Sequence, residues 1–131
     1  MVALILNEIS HARMLQQLDA DPEIVVWWAT PVECVSALAR REREGTLPVA
    51  DARIAWTRLR ELAAEWQEIV PSATVRNHAE RLLRIHPLRA GDALQLAAAI
   101  VAAEGDPQSL DVVTFDERLK DCAVKEGFSV L

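Results

Sequence analysis

The sequence predicts an α/β fold in which a parallel sheet is flanked by helices on both faces. Short apolar runs typical of buried strands, IVVWW at 24–28 and LDVVTF at 110–115, alternate with longer segments whose apolar residues recur at helical spacing. This alternation is typical of parallel sheets covered by helices. The length of 131 residues and an apolar content of 51% predict a single domain over residues 1–131.

The first elements are predicted from their start and stop signals. A helix is expected from about Ser10 to Leu18, and Pro22 then precedes the IVVWW strand. The next helix is expected from about Pro31 to Glu44, because T-P-V-E supplies Thr30 as N-cap, a proline at the first helical position and Glu33 as the acid of a capping box.

Three further helices are predicted from apolar spacing. One runs from about Val49 to Glu68, and its inward face is expected to contain Ile54, Leu59, Leu62, Trp66 and Ile69. After Pro71, a helix from about Thr74 to Ile85 should bury Val75, Ala79, Leu82 and Leu83. The segment 93–103 has one polar residue, so this helix is expected to be enclosed on most sides.

The end of the chain is predicted to contain two strands and one helix. LDVVTF is read as a second buried strand, DERLKDCAVKEG as a helix and FSVL as a final strand. Functional groups in parallel sheets gather beyond the carboxyl ends of the strands. We therefore look for a site just after the predicted strands.

Three acidic residues, Glu33, Asp92 and Asp116, stand where predicted helices begin. They are separated by 59 and 24 residues, so only a compact fold would bring them together. Glu33 and Asp116 follow predicted strands, and Asp92 opens the enclosed helix. Gathered carboxylates favour a hard cation such as Mg²⁺ or Mn²⁺. Such a cation supports hydrolysis of a phosphodiester bond.

Each of these acids also has a purely structural interpretation. Glu33 completes a capping box. Asp92 would interact favourably with the amides of its helix start or pair with Arg89. Residues 114–117 form another possible capping box, in which Asp116 is a first-turn acid. The residues alone leave both interpretations open.

The charge balance neither proposes nor excludes RNA as a partner. The formal net charge is −6, so a polyanion would be held by local arginines or through metal. Arg84, His86 and Arg89 lie close in sequence to Asp92 and are the better candidates for contacting a phosphate backbone.

The remaining polar and aromatic residues predict no other chemistry. Cys34 and Cys122 fall in helical stretches and are expected to be buried thiols in a reducing, cytoplasmic compartment. The three histidines lack the spacing of a zinc site. The four tryptophans fall on elements expected to face the core, which favours packing over base stacking. No apolar run is long enough to span a membrane.

The segments VECVSALARRERE, RAGDALQLAAAI and DVVTFDERLKDCAVKEGFSVL resemble the PIN-domain family, in particular the VapC-like toxins of toxin–antitoxin pairs. The resemblance covers nearly the whole chain. It implies a Mg²⁺- or Mn²⁺-dependent endoribonuclease, commonly a homodimer, that a cognate antitoxin holds inactive. Glu33, Asp92 and Asp116 match the family's second, third and fourth acidic positions, and Thr114 matches the small hydroxyl residue before the last one.

The sequence departs from the family pattern at its beginning. The first strand of the family, which ends in an aspartate followed by Ser or Thr, has no counterpart. MVALILNEIS is similar to the helix that follows that strand, which implies a chain truncated at its N-terminus. The alternative is that residues 1–6 form a reworked strand that lacks the catalytic acid.

Three functions are compatible with this pattern. The leading hypothesis is an RNA-cleaving toxin with Glu33, Asp92 and Asp116 as ligands of the metal, impaired if the first acid is lost. A second is a catalytically silent PIN-fold protein that binds an antitoxin or another partner. A third is a nuclease in DNA repair or RNA processing, because a fold alone does not choose among functions.

Overall fold

The computed structural model describes residues 23–131. The predicted helix at Ser10–Leu18 and the alternative strand at 1–6 lie outside these residues. The elements, in chain order, are β1 (Val25–Trp27), α1 (Thr30–Arg43), α2 (Val49–Glu65), β2 (Gln67–Ile69), α3 (Ala73–Ile85), α4 (Ala90–Ala102), a 3-10 turn (Pro107–Ser109), β3 (Asp111–Val112), α5 (Glu117–Lys125) and β4 (Ser129–Val130).

The α/β class is confirmed. Strand β1 is hydrogen-bonded to β2, and β3 pairs with β4 in a parallel arrangement. In the second pair Asp111 lies opposite Ser129, and Val112 lies opposite Val130. No helix within residues 23–131 has the length and apolar character needed to cross a membrane.

The described chain divides into two compact units. The first contains residues Ala29–Gln67 and therefore α1 and α2; the second contains Val25–Trp28 and Glu68–Leu131. The sequence-based expectation of one domain stays a prediction.

In the first unit, α1 packs against α2. Helix α2 buries Ala52, Ala55 and Leu59, which lie at intervals of three and four residues on one face. The predicted inward position of Ile54 is wrong, since this side chain is 51% exposed. Two alanines and Leu59 form the buried face instead.

Two predicted boundaries in this part of the chain are also wrong. Helix α2 ends at Glu65, and the residues expected to be its last turn form β2, which bonds to the chain beside β1 through the Gln67 amide and the Ile24 carbonyl (2.8 Å). Helix α1 begins one residue early, at Thr30. Its N-cap is Ala29, which has no polar side chain, so the predicted capping box with Thr30 as N-cap does not form.

The second unit is built around α4, which contacts β1, α3 and α5. No residue from 92 to 103 is exposed, as the apolar composition of this helix predicted. Helix α3 supplies Val75, Ala79 and Leu82 to the same core. Leu83, predicted to lie on that face, is 43% exposed, because it follows Leu82 by one residue and projects about 100° around the helix.

The last strand pair is shorter than the sequence indicated. LDVVTF contributes only Asp111 and Val112 to β3, while Val113 and Phe115 are exposed. Helix α5 buries Leu119, Cys122 and Ala123. The chain then turns into β4 at Gly127, whose φ of +96° is accessible to glycine at little cost.

Candidate active site

Asp92 occupies the first turn of α4. Its side chain is half-buried, and within residues 23–131 its carboxylate makes no hydrogen bond or ion pair with the protein. The N-cap of α4 is Arg89, an exposed residue with extended backbone and no capping hydrogen bond from its side chain. The alternative in which Asp92 pairs with Arg89 is therefore not what the structure shows.

Asp116 is the N-cap of α5. Its carboxylate oxygen Oδ1 accepts a hydrogen bond from the Leu119 amide at 2.9 Å, and its own amide donates to Thr114 Oγ1 at 3.2 Å. The interpretation of 114–117 as a capping box begun by Thr114 is wrong, because the helix begins two residues later. Asp116 is exposed, so one carboxylate oxygen caps the helix while the side chain still faces solvent.

Glu33 lies in the first turn of α1 and is half-buried. It belongs to the first compact unit, whereas Asp92, Thr114 and Asp116 belong to the second. Each acid stands at a helix start, as the sequence indicated. The gathering of all three at one site stays a prediction.

The donor chemistry of these acids fits a hard divalent cation. Half-buried or exposed carboxylates supply the oxygen ligands that Mg²⁺ and Mn²⁺ prefer, and Mg²⁺ commonly needs only one or two of them. In the part of the chain from residue 23 onward, no group of three or more His, Cys, Asp or Glu side chains is placed to hold a metal ion. The support for a metal is therefore the carboxylate chemistry of the three candidate acids. It is not a group of side chains that the structure brings together.

The two candidate RNA-binding arginines are in the second unit. Arg84 lies in the last turn of α3, and Arg89 lies at the start of α4. Both are exposed, so their guanidinium groups are open to an anionic ligand. Their role in binding RNA stays a prediction.

A second charged cluster joins the end of α3 to the end of α5. Arg81 donates two hydrogen bonds to Glu126, from Nη1 to Oε1 at 3.2 Å and from Nη2 to Oε2 at 2.5 Å. His86 Nε2 lies 2.7 Å from Oε1 of the same carboxylate. The ring nitrogen is the donor, because an ionised carboxylate only accepts. This Glu126 cluster engages His86, which removes it from the candidate phosphate contacts.

Burial and charge in the Glu126 cluster act together on its titration. The side chains of His86 and Glu126 are 8% and 12% exposed, whereas that of Arg81 is 44% exposed. The hydrogen bonds from Arg81 lower the pKa of Glu126, burial opposes this effect, and His86 adds to the lowering. The same ion pair raises the pKa of Arg81. Arg81 and Glu126 are therefore both ionised at neutral pH.

Sequence reasoning missed this cluster. Glu126 is 40 residues from His86 and 45 from Arg81, so no local spacing connects them. The available signal was limited to Glu126 itself, the acid of E-G-F at the end of a predicted helix, which is also typical of an ordinary solvated helix end.

The two cysteines are free and buried, as predicted. Burial raises the pKa of the Cys34 thiol and of the Cys122 thiol. Thiols held in the neutral form are poor nucleophiles and poor metal ligands. They act here as small apolar side chains.

The aromatic residues do not all pack inward. Trp27, Trp66 and Phe128 are buried, but Trp28 is 50% exposed and Phe115 is 48% exposed. The prediction that all four tryptophans face the core is wrong for Trp28. Trp27 is the last residue of β1, and Trp28 is the first residue beyond it.

Comparison with known proteins identifies the family. The chain is 36% identical over 96 residues to Ribonuclease VapC45 of Mycobacterium tuberculosis (strain CDC 1551 / Oshkosh), covering 73% of this chain and 62% of the relative. Ribonuclease VapC49 of Mycobacterium tuberculosis (strain ATCC 25618 / H37Rv) matches with the same identity and coverage. The match thus spans less than two thirds of these relatives. No solved structure matches the chain. A family model described as PIN domain matches residues 1–125, and the chain therefore belongs to the PIN-domain family.

Proposed function

We propose that this chain acts as a metal-dependent endoribonuclease of the VapC type, which hydrolyses phosphodiester bonds of RNA. The observation that carries the proposal is the PIN-domain match over residues 1–125, supported by two relatives that are named ribonucleases. The half-buried Asp92 carboxylate adds a physical argument. Among residues 23–131 this carboxylate has no ion-pair partner, and a bound cation would offset the cost of holding its charge partly out of water.

The proposed chemistry assigns a role to each candidate residue. Asp92, Asp116 and Glu33 would hold Mg²⁺ or Mn²⁺, and such an ion activates a bound water and neutralises developing charge on phosphate. Thr114 holds the backbone amide of Asp116 and so fixes the position of that carboxylate. Arg84 and Arg89 would bind the RNA phosphates. A carboxylate beside the water would accept its proton.

The proposed partners follow from the same assignment. They are an RNA substrate, a cognate antitoxin protein and a second copy of the chain in a homodimer. We propose a cytoplasmic location, where RNA is accessible and the two thiols stay reduced.

The test is RNA cleavage by the purified chain with Mg²⁺, with Mn²⁺ and with EDTA. We expect cleavage with either ion and none with EDTA. Asp121→Asn is the matched control for Asp92→Asn, because Asp121 is an exposed acid on α5 outside the candidate site. Cleavage that persists in EDTA would contradict the metal-dependent mechanism. Cleavage of DNA but not RNA would favour a repair nuclease, and a folded but inactive chain would favour a silent binding protein.

A further inference from the structure

The surface of the second unit carries two exposed aromatic rings, and both lie just after a strand. Of the six Trp and Phe residues, Trp28 follows β1 directly, and Phe115 comes three residues after β3. Their side chains are 50% and 48% exposed. About half of each ring is therefore open to a ligand, and functional groups in parallel sheets gather just after the strands.

The backbone on both sides of Phe115 is fixed. The Asp116 amide bonds to Thr114 Oγ1, which closes a turn around Phe115, and Asp116 Oδ1 then accepts from the Leu119 amide. The ring is therefore presented from a rigid turn, next in sequence to a candidate metal ligand. It is not at the tip of a long loop.

The backbone of Trp28 is fixed as well. Its amide donates to the Ile69 carbonyl at 3.1 Å, which extends the bonding between β1 and β2 by one residue. Trp28 thus lies at the end of a paired strand that packs on α4, the helix that carries Asp92. A ring held on a rigid backbone loses little conformational entropy when it binds a flat partner.

The net charge of the chain argues for stacking as a source of RNA affinity. At −6, the protein as a whole repels a polyanion, so phosphate contacts contribute less than in a basic nuclease. Stacking of bases on aromatic rings does not depend on charge and tolerates any sequence. It does require bases that are not already stacked in a duplex.

We propose that Phe115, which precedes Asp116, and Trp28, which directly follows the strand packed on the helix of Asp92, stack on unpaired bases of single-stranded RNA. This inference rests on the proposed function and assigns two residues that bind its substrate. Each ring acts as a binding group for a nucleotide and takes no part in bond cleavage.

The test measures binding separately from cleavage. Fluorescence anisotropy of a labelled single-stranded oligoribonucleotide is followed with the full chain in EDTA, so that no metal-dependent cleavage occurs. We expect Phe115→Leu and Trp28→Leu each to weaken binding by about 5- to 100-fold, the loss typical of one stacked base. Phe115→Trp should restore it. Val124→Ala is the matched control, because Val124 is an apolar residue 55% exposed on α5.

Salt dependence distinguishes stacking from phosphate contact. The logarithm of the binding constant should fall with the logarithm of salt at the same slope in Phe115→Leu as in the natural chain. In Arg89→Ala the slope should become shallower by about 0.7, the value for one phosphate contact on a single strand. A hairpin RNA with its bases paired should bind weakly in every variant.

Failure of this inference can be told apart from failure of the proposed function. If RNA is not cleaved but Phe115→Leu still weakens single-strand binding and Phe115→Trp restores it, the stacking inference stands and the nuclease assignment falls. If RNA is cleaved and both leucine variants bind it normally, the stacking inference is overturned. It is also overturned if these variants leave RNA binding unchanged but alter the mass of the protein in solution, which would place the rings in a protein interface.

Discussion

Glu126 and Asp92 are both half-buried carboxylates of the second unit, but their surroundings are opposite. Glu126 accepts hydrogen bonds from Arg81 and His86 on both of its oxygens. Asp92 makes no hydrogen bond or ion pair through its carboxylate within the described part of the chain. Within residues 23–131, the Glu126 carboxylate has charged side chains as partners, whereas the Asp92 carboxylate has only the favourable start of its helix.

This difference indicates what each residue contributes. A partly buried charge destabilises a protein unless it is paired, and pairing recovers much of that cost. The position of Glu126 is therefore explained by stability, because it joins the ends of α3 and α5. Asp92 lies in the first turn of α4, where the helix dipole favours a negative charge, and we propose that a bound cation adds to this stabilisation. The following changes test this contrast.

The largest effect is expected from Asp92→Asn. The substitution keeps the shape of the side chain but removes its charge, so a metal ligand is lost while little packing changes. We expect cleavage to fall by about 100-fold or more, in line with the several kcal/mol that a metal supplies to a transition state. The free energy of unfolding in EDTA, measured by urea denaturation, should stay the same or rise. A large loss of stability would mean that Asp92 is structural, like Glu126.

Asp116 should contribute both to cleavage, as a metal ligand, and to stability, as the N-cap of α5. Two substitutions separate these contributions. Asp116→Asn keeps an N-cap side chain, since Asn and Asp cap about equally well, but removes the charge. We expect it to abolish cleavage without changing the free energy of unfolding. Asp116→Ala should lose cleavage and also about 1 kcal/mol of stability.

Ser72→Ala is the matched control for the capping effect. Ser72 caps α3 by accepting a hydrogen bond from the Val75 amide at 3.2 Å. Its loss should cost a similar amount of stability, measured by urea denaturation, and leave cleavage unchanged. Cleavage by Asp116→Asn at the natural rate would remove Asp116 from the candidate site.

The sequence predicted well those features that depend on local spacing. The enclosed character of α4 follows from eleven residues with a single polar member, and the helix starts near Glu33, Asp92 and Asp116 follow from capping and proline signals. Features that depend on contacts between residues far apart in the sequence could not be predicted. Examples are β2, which forms because Gln67 bonds to the chain beside β1, and the exposure of Ile54 beside buried alanines.

In the candidate site, too, local sequence signals identified some residues, while contacts between residues distant in sequence were missed. The identity of the acids came from their position at helix starts and from the family resemblance. The Glu126 cluster could not be predicted, because its partners are 40 and 45 residues away in sequence. The exposure of Trp28 was also missed, since an apolar run gives no indication of which of two adjacent rings faces the core.

A smaller effect is expected from Glu126→Gln, and it should appear in stability. The substitution keeps a side chain of the same size but replaces charged hydrogen bonds with neutral ones. We expect the free energy of unfolding to fall by about 1–3 kcal/mol at neutral pH. Glu104→Gln is the control, because Glu104 is an exposed acid just after α4. Unchanged stability in Glu126→Gln would show that the contacts with Arg81 and His86 contribute little in solution.

The smallest effect is expected in how the stability difference between the natural chain and Glu126→Gln changes with pH. Arg81 is the main cause of the lowered pKa of Glu126, which lies below its ordinary value of 4.5 in the folded protein. The folded state therefore takes up this proton less readily than the unfolded state. The stabilising contribution is complete above pH 4.5 and is lost as the pH falls through the lower folded-state pKa. Arg81 stays charged throughout, since its own pKa is raised.

Urea denaturation of the natural chain and of Glu126→Gln, at neutral pH and at a series of values below 4.5, measures this loss. We expect the difference in free energy of unfolding to shrink steadily with acidification, because a protonated Glu126 resembles glutamine in charge. A difference for Glu126→Gln that stays constant into strong acid would mean that packing of the side chain stabilises the junction of α3 and α5, and that the ion pair with Arg81 does not.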